Sequence, residues 1–227
     1  MTKVKILNIS REAELLYSIQ ILAPQEIYKK YQIPGQYGIF SLDQEQKNKI
    51  YLAFSSAPLQ KEPIIELLVK EKGEVAQNLI QLKPNDEFYL IDIQGNGFPL
   101  EKLIQKDIEA FAMGSGIAPI RALIQSILNG MVAIKSLKIW ISAFSEQYLP
   151  YKNDFKFWES IFPIKYIYDK VAPFKNVIDH LKEDFSLSYE NKTVIWIGSE
   201  EYGKNLWDIL QNRGLKKENF LTNYEII

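Results

Sequence analysis

Ala112-Met113-Gly114-Ser115-Gly116-Ile117-Ala118-Pro119-Ile120-Arg121 is the stretch whose reading decides the fold. An apolar run over residues 108–113 leads into it, and apolar residues at helical spacing continue to residue 128, so strand, glycine turn and helix follow one another. Gly114 and Gly116 lack a Cβ and let backbone and ligand approach closely. The helix that follows presents unpaired N–H groups to an anionic or polar ligand. Pro119 suits a first helical turn, where its missing N–H costs nothing. It also stands where a G-x-G-x-x-G fingerprint wants its third glycine, so this is not the usual pyrophosphate loop of that fingerprint.

Working outward toward the C-terminus, strand-like and helix-like segments alternate. Strands are expected at residues 137–141, 165–168, 193–197 and 220–224, and helices at 154–161, 177–181 and 202–213. Such alternation implies parallel pairing through right-handed crossovers, hence an α/β sheet of about five strands. Met113, Trp140, Trp158, Trp196 and Trp207 fall inside strands or on helix faces and read as core.

Toward the N-terminus the pattern differs. Short β-type runs at residues 4–9, 15–22, 37–42, 50–54, 64–69 and 88–93 are separated by turn signals such as Pro34-Gly35 and Lys83-Pro84-Asn85-Asp86. Six short strands suit a small antiparallel barrel. The polar run 43–49 reads as an exposed hairpin loop. The expected organisation is therefore a barrel domain over residues 1–100 and an α/β domain over 101–227.

Composition narrows the chemistry. The 227 residues are 47% hydrophobic, enough for a sizeable core. With 27 basic and 28 acidic residues the net charge is -1, so no basic surplus exists to neutralise a nucleic-acid backbone. There is no Cys, which removes disulfides, thiolate nucleophiles and Cys-ligated iron–sulfur clusters. A single histidine, His180, in the charged run Asp179–Asp184, excludes a His-based triad or metal site by count. Redox chemistry would have to use a bound organic cofactor. No signal-peptide core and no apolar stretch of the roughly 18 residues of a membrane span is present, so a cytoplasmic location without a membrane span is expected.

Several segments, taken together, resemble the ferredoxin–NADP reductase superfamily in its own order. Pro34-Gly35-Gln36-Tyr37 is similar to its Pro-Gly-Gln-aromatic segment, and Tyr51 to Pro58 to its flavin-contact strand. Gly95-Asn96-Gly97-Phe98 resembles its interdomain turn, Gly114 to Pro119 its nicotinamide-side loop, and Ile197-Gly198 with Asn223-Tyr224 its C-terminal motifs. The closest flavour is the small FAD/NAD(P)-binding oxidoreductase branch.

That resemblance implies an N-terminal antiparallel flavin-binding barrel followed by a parallel-sheet nucleotide-binding domain. It implies a cofactor, FAD or FMN, with NADH or NADPH as co-substrate, no iron–sulfur cluster, and an unspecified electron acceptor, with a protein among the candidates. Leu52, Ala53, Phe54 and Ser55 would contact the flavin ring, with Val69 and Lys70 close by. Gly73, Val75 and Ala76 would receive its phosphates at a helix start. Gly114, Ser115, Gly116, Ile117, Ala118, Pro119 and Gly198 would form the nucleotide site, and Tyr224 would stack on the flavin.

The flavin strand of the superfamily reads Arg-x-Tyr-Ser, and aligned back from Pro58 those places hold Ile50, Leu52 and Ala53. The alignment leaves Lys49 as a point charge in place of a bidentate Arg, and a backbone N–H of Ala53 or Phe54 in place of the serine hydroxyl. Glu74 stands in the phosphate turn, and Ser142-Ala143-Phe144-Ser145 carries no base for a 2′-phosphate, which favours NADH. The implied function is hydride transfer between NAD(P)H and a flavin. The alternative is a catalytically silent relative that binds a nucleotide or a partner protein. No catalytic side chain and no metal site is singled out.

Overall fold

A computed structural model describes residues 1–184 and 187–222. They form two compact units, Met1–Phe98 with Ala118–Asn129, and Pro99–Ile117 with Gly130 onward.

In the first unit, β1 (Thr2–Ala13), β2 (Leu16–Leu22), β3 (Tyr37–Ser41), β4 (Lys49–Ala53), β5 (Ile64–Lys70) and β6 (Glu87–Gln94) make one sheet in the order β4-β3-β6-β1-β2-β5. Every pairing is antiparallel. One face of each strand is apolar and turned inward, with Val4, Ile6, Ile19, Ile21, Phe40, Phe54, Leu67, Phe88 and Leu90 almost wholly buried. β1 runs further than the apolar run 4–9, because register shifts at Ile6/Asn8 and Arg11/Ala13 let polar residues continue the ladder with β2. The edge strands β4 and β5 meet through one isolated bridge, Phe54 to Leu67, so the sheet curls like a barrel without a continuous ladder to close it.

Three helices accompany this sheet: α1 (Gln25–Tyr28), α2 (Glu74–Ile80) and α3 (Ile117–Leu128). α2 starts at Gly73, whose φ of 84° lies in the left-handed region that glycine tolerates, and packs Ala76, Leu79 and Ile80 into the core.

The second unit is a parallel sheet of β7 (Asp107–Met113), β8 (Ser136–Ala143), β9 (Ile164–Tyr168), β10 (Lys192–Ile197) and β11 (Phe220–Thr222), in the order β11-β10-β7-β8-β9. The helices α4 (Lys152–Trp158), α5 (Val177–Glu183) and α6 (Glu200–Gln211) complete the α/β alternation read from the sequence. Trp140, Trp158 and Trp196 are buried, and Met113 and Trp207 pack partly buried against the same core. Asn176 and Asp179 form a capping box on α5, and Ser199 caps α6 by accepting the N–H of Tyr202.

One buried charge sits in this core. Glu109 on β7 accepts from Tyr189 Oη at 3.0 Å and Trp140 Nε1 at 3.2 Å, and pairs with Lys192. Burial and the neighbouring Glu109 carboxylate push the Tyr189 phenol well above its ordinary pKa. Among the described residues no helix is long and apolar enough to cross a membrane.

Candidate functional site

In the first unit the informative strand is β4. Its burial alternates: Lys49 and Tyr51 are exposed, Tyr51 by 61%, whereas Ile50 packs partly buried against the core and Leu52 lies within it at 7%. A strand turns successive side chains to opposite faces, so Lys49, Tyr51 and Ala53 share the outer face. The Tyr37 ring stands 6.2 Å from that of Tyr51. Lys49-x-Tyr51 thus repeats the basic-x-aromatic spacing of Arg-x-Tyr one residue earlier than a count back from Pro58 places it. The signal was present in the sequence, since Ile50, Leu52 and Phe54 are the apolar alternates.

The two backbone donors at this strand end differ. Phe54 donates its N–H to Gln36 O at 3.3 Å, and Ser55 donates to Glu66 O at 2.8 Å. With 36 and 54 as a hydrogen-bonded pair, Tyr37 and Ala53 form a non-hydrogen-bonded pair, and the N–H of Ala53 is directed away from β3. It faces the β5 side of the strand, where the Phe54–Leu67 bridge sets Ala53 opposite Leu68.

Phe54, Ser55 and Val69 are fully buried, Lys70 is exposed, and Ala76 is buried beneath the start of α2. A Cβ on Gly73 would meet nothing within 4 Å, so the approach to the first turn of α2 is open.

Arg121 and Gln125 on α3 belong to this unit as well, and their roles were not legible in the sequence. Arg121 Nη1 donates to Ser55 O at 2.8 Å and lies 3.2 Å from Glu66 Oε1, which also accepts from Ser18 Oγ at 3.0 Å. Gln125 Oε1 accepts the N–H of Ala57 at 2.9 Å.

In the second unit the strand order reverses direction between β7 and β10, and the loops that leave the carboxyl ends of these two strands flank the switch point where open α/β sheets take ligands. Those loops are Gly114–Gly116, a single 3-10 turn leading into α3, and Gly198-Ser199 leading into α6. Gly114 has a φ of 55° and open space around its missing Cβ. Gly116 is there for contact: a Cβ would come within 2.6 Å of Ile197 O. Gly198 is held likewise, since a Cβ would fall 2.3 Å from Trp196 Cζ2. Ser115 is half-buried, Ile117 is buried, and Ala118 and Pro119 are buried in the first turn of α3. Tyr224 lies outside the described residues.

At the carboxyl ends of β8 and β9 the chain carries acids. Glu146 pairs with Lys152 at 3.3 Å, next to Phe144, whose ring meets Tyr148 edge-on at 5.4 Å. Asp169 follows β9 and donates its N–H to Ala143 O at 3.2 Å. Its buried Oδ1 has no hydrogen-bond partner among the described residues, and burial raises the pKa of this carboxyl.

No family model matches the chain. A 122-residue stretch is 29% identical to the gamma subunit of sulfhydrogenase 1 from Pyrococcus furiosus, covering 53% of this chain and 41% of that protein. The match thus spans about two fifths of the relative's length. Among solved structures, a ferredoxin NADP+ reductase from Neisseria gonorrhoeae with bound FAD and NADP superposes with a TM-score of 0.81 at 16% identity, over 98% of each chain. The ferredoxin-NADP+ reductase of Plasmodium falciparum with 2′P-AMP gives 0.79 at 19% identity, over 97% of this chain and 95% of that one. A six-stranded antiparallel sheet followed by a five-stranded parallel one, superposing over nearly the whole length, gives this chain the fold of the ferredoxin–NADP+ reductases.

Proposed function

We propose that the protein is an NADH-dependent flavin oxidoreductase that binds FAD on the outer face of β4 and passes electrons on to a further acceptor. The observation that carries this reading is the Lys49-x-Tyr51 pair on an exposed strand face, with the ring of Tyr37 beside it. Flavin, when bound, accepts hydride from a reduced nicotinamide, so the protein's own share is binding, orientation and electrostatics.

Each residue then has a physical task. The exposed ring of Tyr51 and the half-buried ring of Tyr37 give a planar apolar ligand a surface to pack on. Lys49 supplies a cation for a phosphate, as a point charge without the bidentate fork of arginine. Gly73 opens the start of α2, where Val75 and Ala76 bring backbone N–H groups to a diphosphate. Gly114 to Pro119, where the chain leaves β7 for α3, and Gly198 shape the nicotinamide site at the switch point.

The preference for NADH rests on Glu146 and Asp169, acids at the strand ends where a 2′-phosphate would meet like charge and a ribose diol would find acceptors. Lys152, six residues after Glu146, is engaged with it. The curated relative is by name a subunit of a larger enzyme, which supports a protein as the acceptor here.

The test is a visible spectrum with and without added FAD, followed by anaerobic NADH and NADPH. The expected result is FAD bound and bleached faster by NADH. A protein that takes up no flavin and bleaches none would instead be the silent binding module.

A further inference from the structure

The segment Ser55 to Gln60, which continues β4, is held at four of its six residues by groups remote in sequence. Ser55 O accepts from Arg121 and Ser55 N–H donates to Glu66 O. Ser56 O accepts from Tyr31 Oη at 2.5 Å, and Ser56 Oγ accepts from Glu66 N–H at 3.0 Å. Ala57 N–H donates to Gln125, and Gln60 N–H donates to Tyr28 Oη at 2.9 Å. A surface loop with no task beyond connection does not ordinarily carry this much buried hydrogen bonding.

The two contacts from α3 have matched spacing. Arg121 and Gln125 are four residues apart on one helix face, about 6 Å along the axis. Ser55 and Ala57 are two residues apart, which separates them by at most about 7 Å. One helix turn therefore registers against two residues of the strand end, one contact to a carbonyl and the other to an N–H.

We propose that Arg121 is a positioning residue: through Ser55 O it fixes the strand end that follows Ala53, and with it the setting of the outer face, Tyr51 and Ala53, against which the flavin packs. The inference rests on the flavin reading of β4. The Arg121 side chain is 11% exposed and that of Glu66 beside it 12%, so the pair is largely desolvated. Hydrophobic residues of similar size often replace such a pair without loss of stability, whereas removing one partner strands a charge. Arg121 meets the Ser55 carbonyl at 2.8 Å while paired with Glu66, so the buried charge has a structural contact besides its counter-ion.

The experiment separates orientation from stability. Arg121→Met alone should be strongly destabilised. The double variant Arg121→Met/Glu66→Leu should regain a wild-type thermal midpoint, yet bind FAD about tenfold more weakly, the scale of one lost charge-assisted hydrogen bond. Its amides at residues 53–57 should exchange faster with solvent than those of the wild type. Wild-type FAD affinity and wild-type exchange in the double variant would overturn the proposal. Should the double variant not fold, Arg121→Lys serves: it keeps a charge beside Glu66 without the planar fork, and weaker FAD binding with faster exchange at 53–57 is expected. A folded Arg121→Lys protein that matches the wild type in both overturns it. If the wild type itself takes up no FAD, the flavin reading fails and the role toward flavin with it. Exchange at 53–57 then decides separately whether Arg121 holds the strand end.

Discussion

A Cβ placed on Gly116 would stand 2.6 Å from the carbonyl oxygen of Ile197, whereas one placed on Gly114 would meet nothing within 4 Å. The two glycines of one motif therefore answer to different physics: Gly116 to a close approach of two backbones, Gly114 to its positive φ and open surroundings.

Gly116→Ala should accordingly lower stability by about 1–3 kcal/mol, the usual cost of forcing atoms into a packed contact. NADH affinity should fall with it. Gly114→Ala, strained by about 1 kcal/mol in the left-handed region, should stay folded and bind FAD as before while losing NADH affinity. Chemical denaturation alongside separate FAD and NADH titrations checks the contrast; equal stability losses at both positions would contradict it.

On β4 the faces predict opposite phenotypes for neighbouring residues. Leu52→Ala removes a core side chain and should cost about 2–4 kcal/mol. Tyr51→Ala removes an exposed ring and should leave the thermal midpoint nearly unchanged while weakening FAD binding roughly tenfold, on the scale of one aromatic stacking contact. If Leu52→Ala impairs FAD binding at unchanged stability and Tyr51→Ala does not, the alignment back from Pro58 is the right one after all.

Asp169 gives a pH signature of unusual sign. Burial raises its folded pKa above the ordinary 3.8. Below the unfolded pKa both states carry the proton and the group contributes nothing. As pH rises through the window between the unfolded and folded values, the unfolded chain binds fewer protons, so stability falls until both states are ionised. Asp169→Asn should remove this decline and be more stable than the wild type at neutral pH. Urea unfolding of both proteins across the acid range measures it.

Glu109 should behave as a buried partner whose loss strands others. Glu109→Ala leaves Lys192, Tyr189 and Trp140 without their shared acceptor, and about 3–5 kcal/mol of stability should go with it. Tyr189→Phe, which removes one donor and keeps the ion pair, should cost only about 1 kcal/mol. Guanidinium unfolding of the two variants gives the comparison.

Much of the architecture was legible because it is written in local periodicity. The six apolar runs of the first hundred residues became β1 to β6, and the glycine turn at Gly114–Gly116 stands between a strand and a helix as its residue order required. Which face of β4 points outward was equally available in Lys49-Ile50-Tyr51-Leu52-Ala53, but counting back from Pro58 overrode the alternation. Other features had no local signal. Arg121 meeting Ser55 and Glu66, Glu109 gathering Tyr189 and Lys192, and the unpartnered Oδ1 of Asp169 all depend on residues dozens of positions apart coming together. The commitment of the Phe54 N–H to Gln36 likewise follows from pairing register, which no residue type announces.

The residues that steady Ser55 and Ala57 are encoded beyond residue 98, in a helix that belongs with the first unit although the chain enters the second on either side of it. The two halves are consequently poor cassettes for exchange by recombination. A gene fragment ending at Phe98 would deliver a sheet whose candidate ligand-bearing edge has lost two of its supports. A chimera that imported a foreign second half would import a foreign α3 with it, and would keep its edge in place only if that helix carried side chains equivalent to Arg121 and Gln125 in the same register.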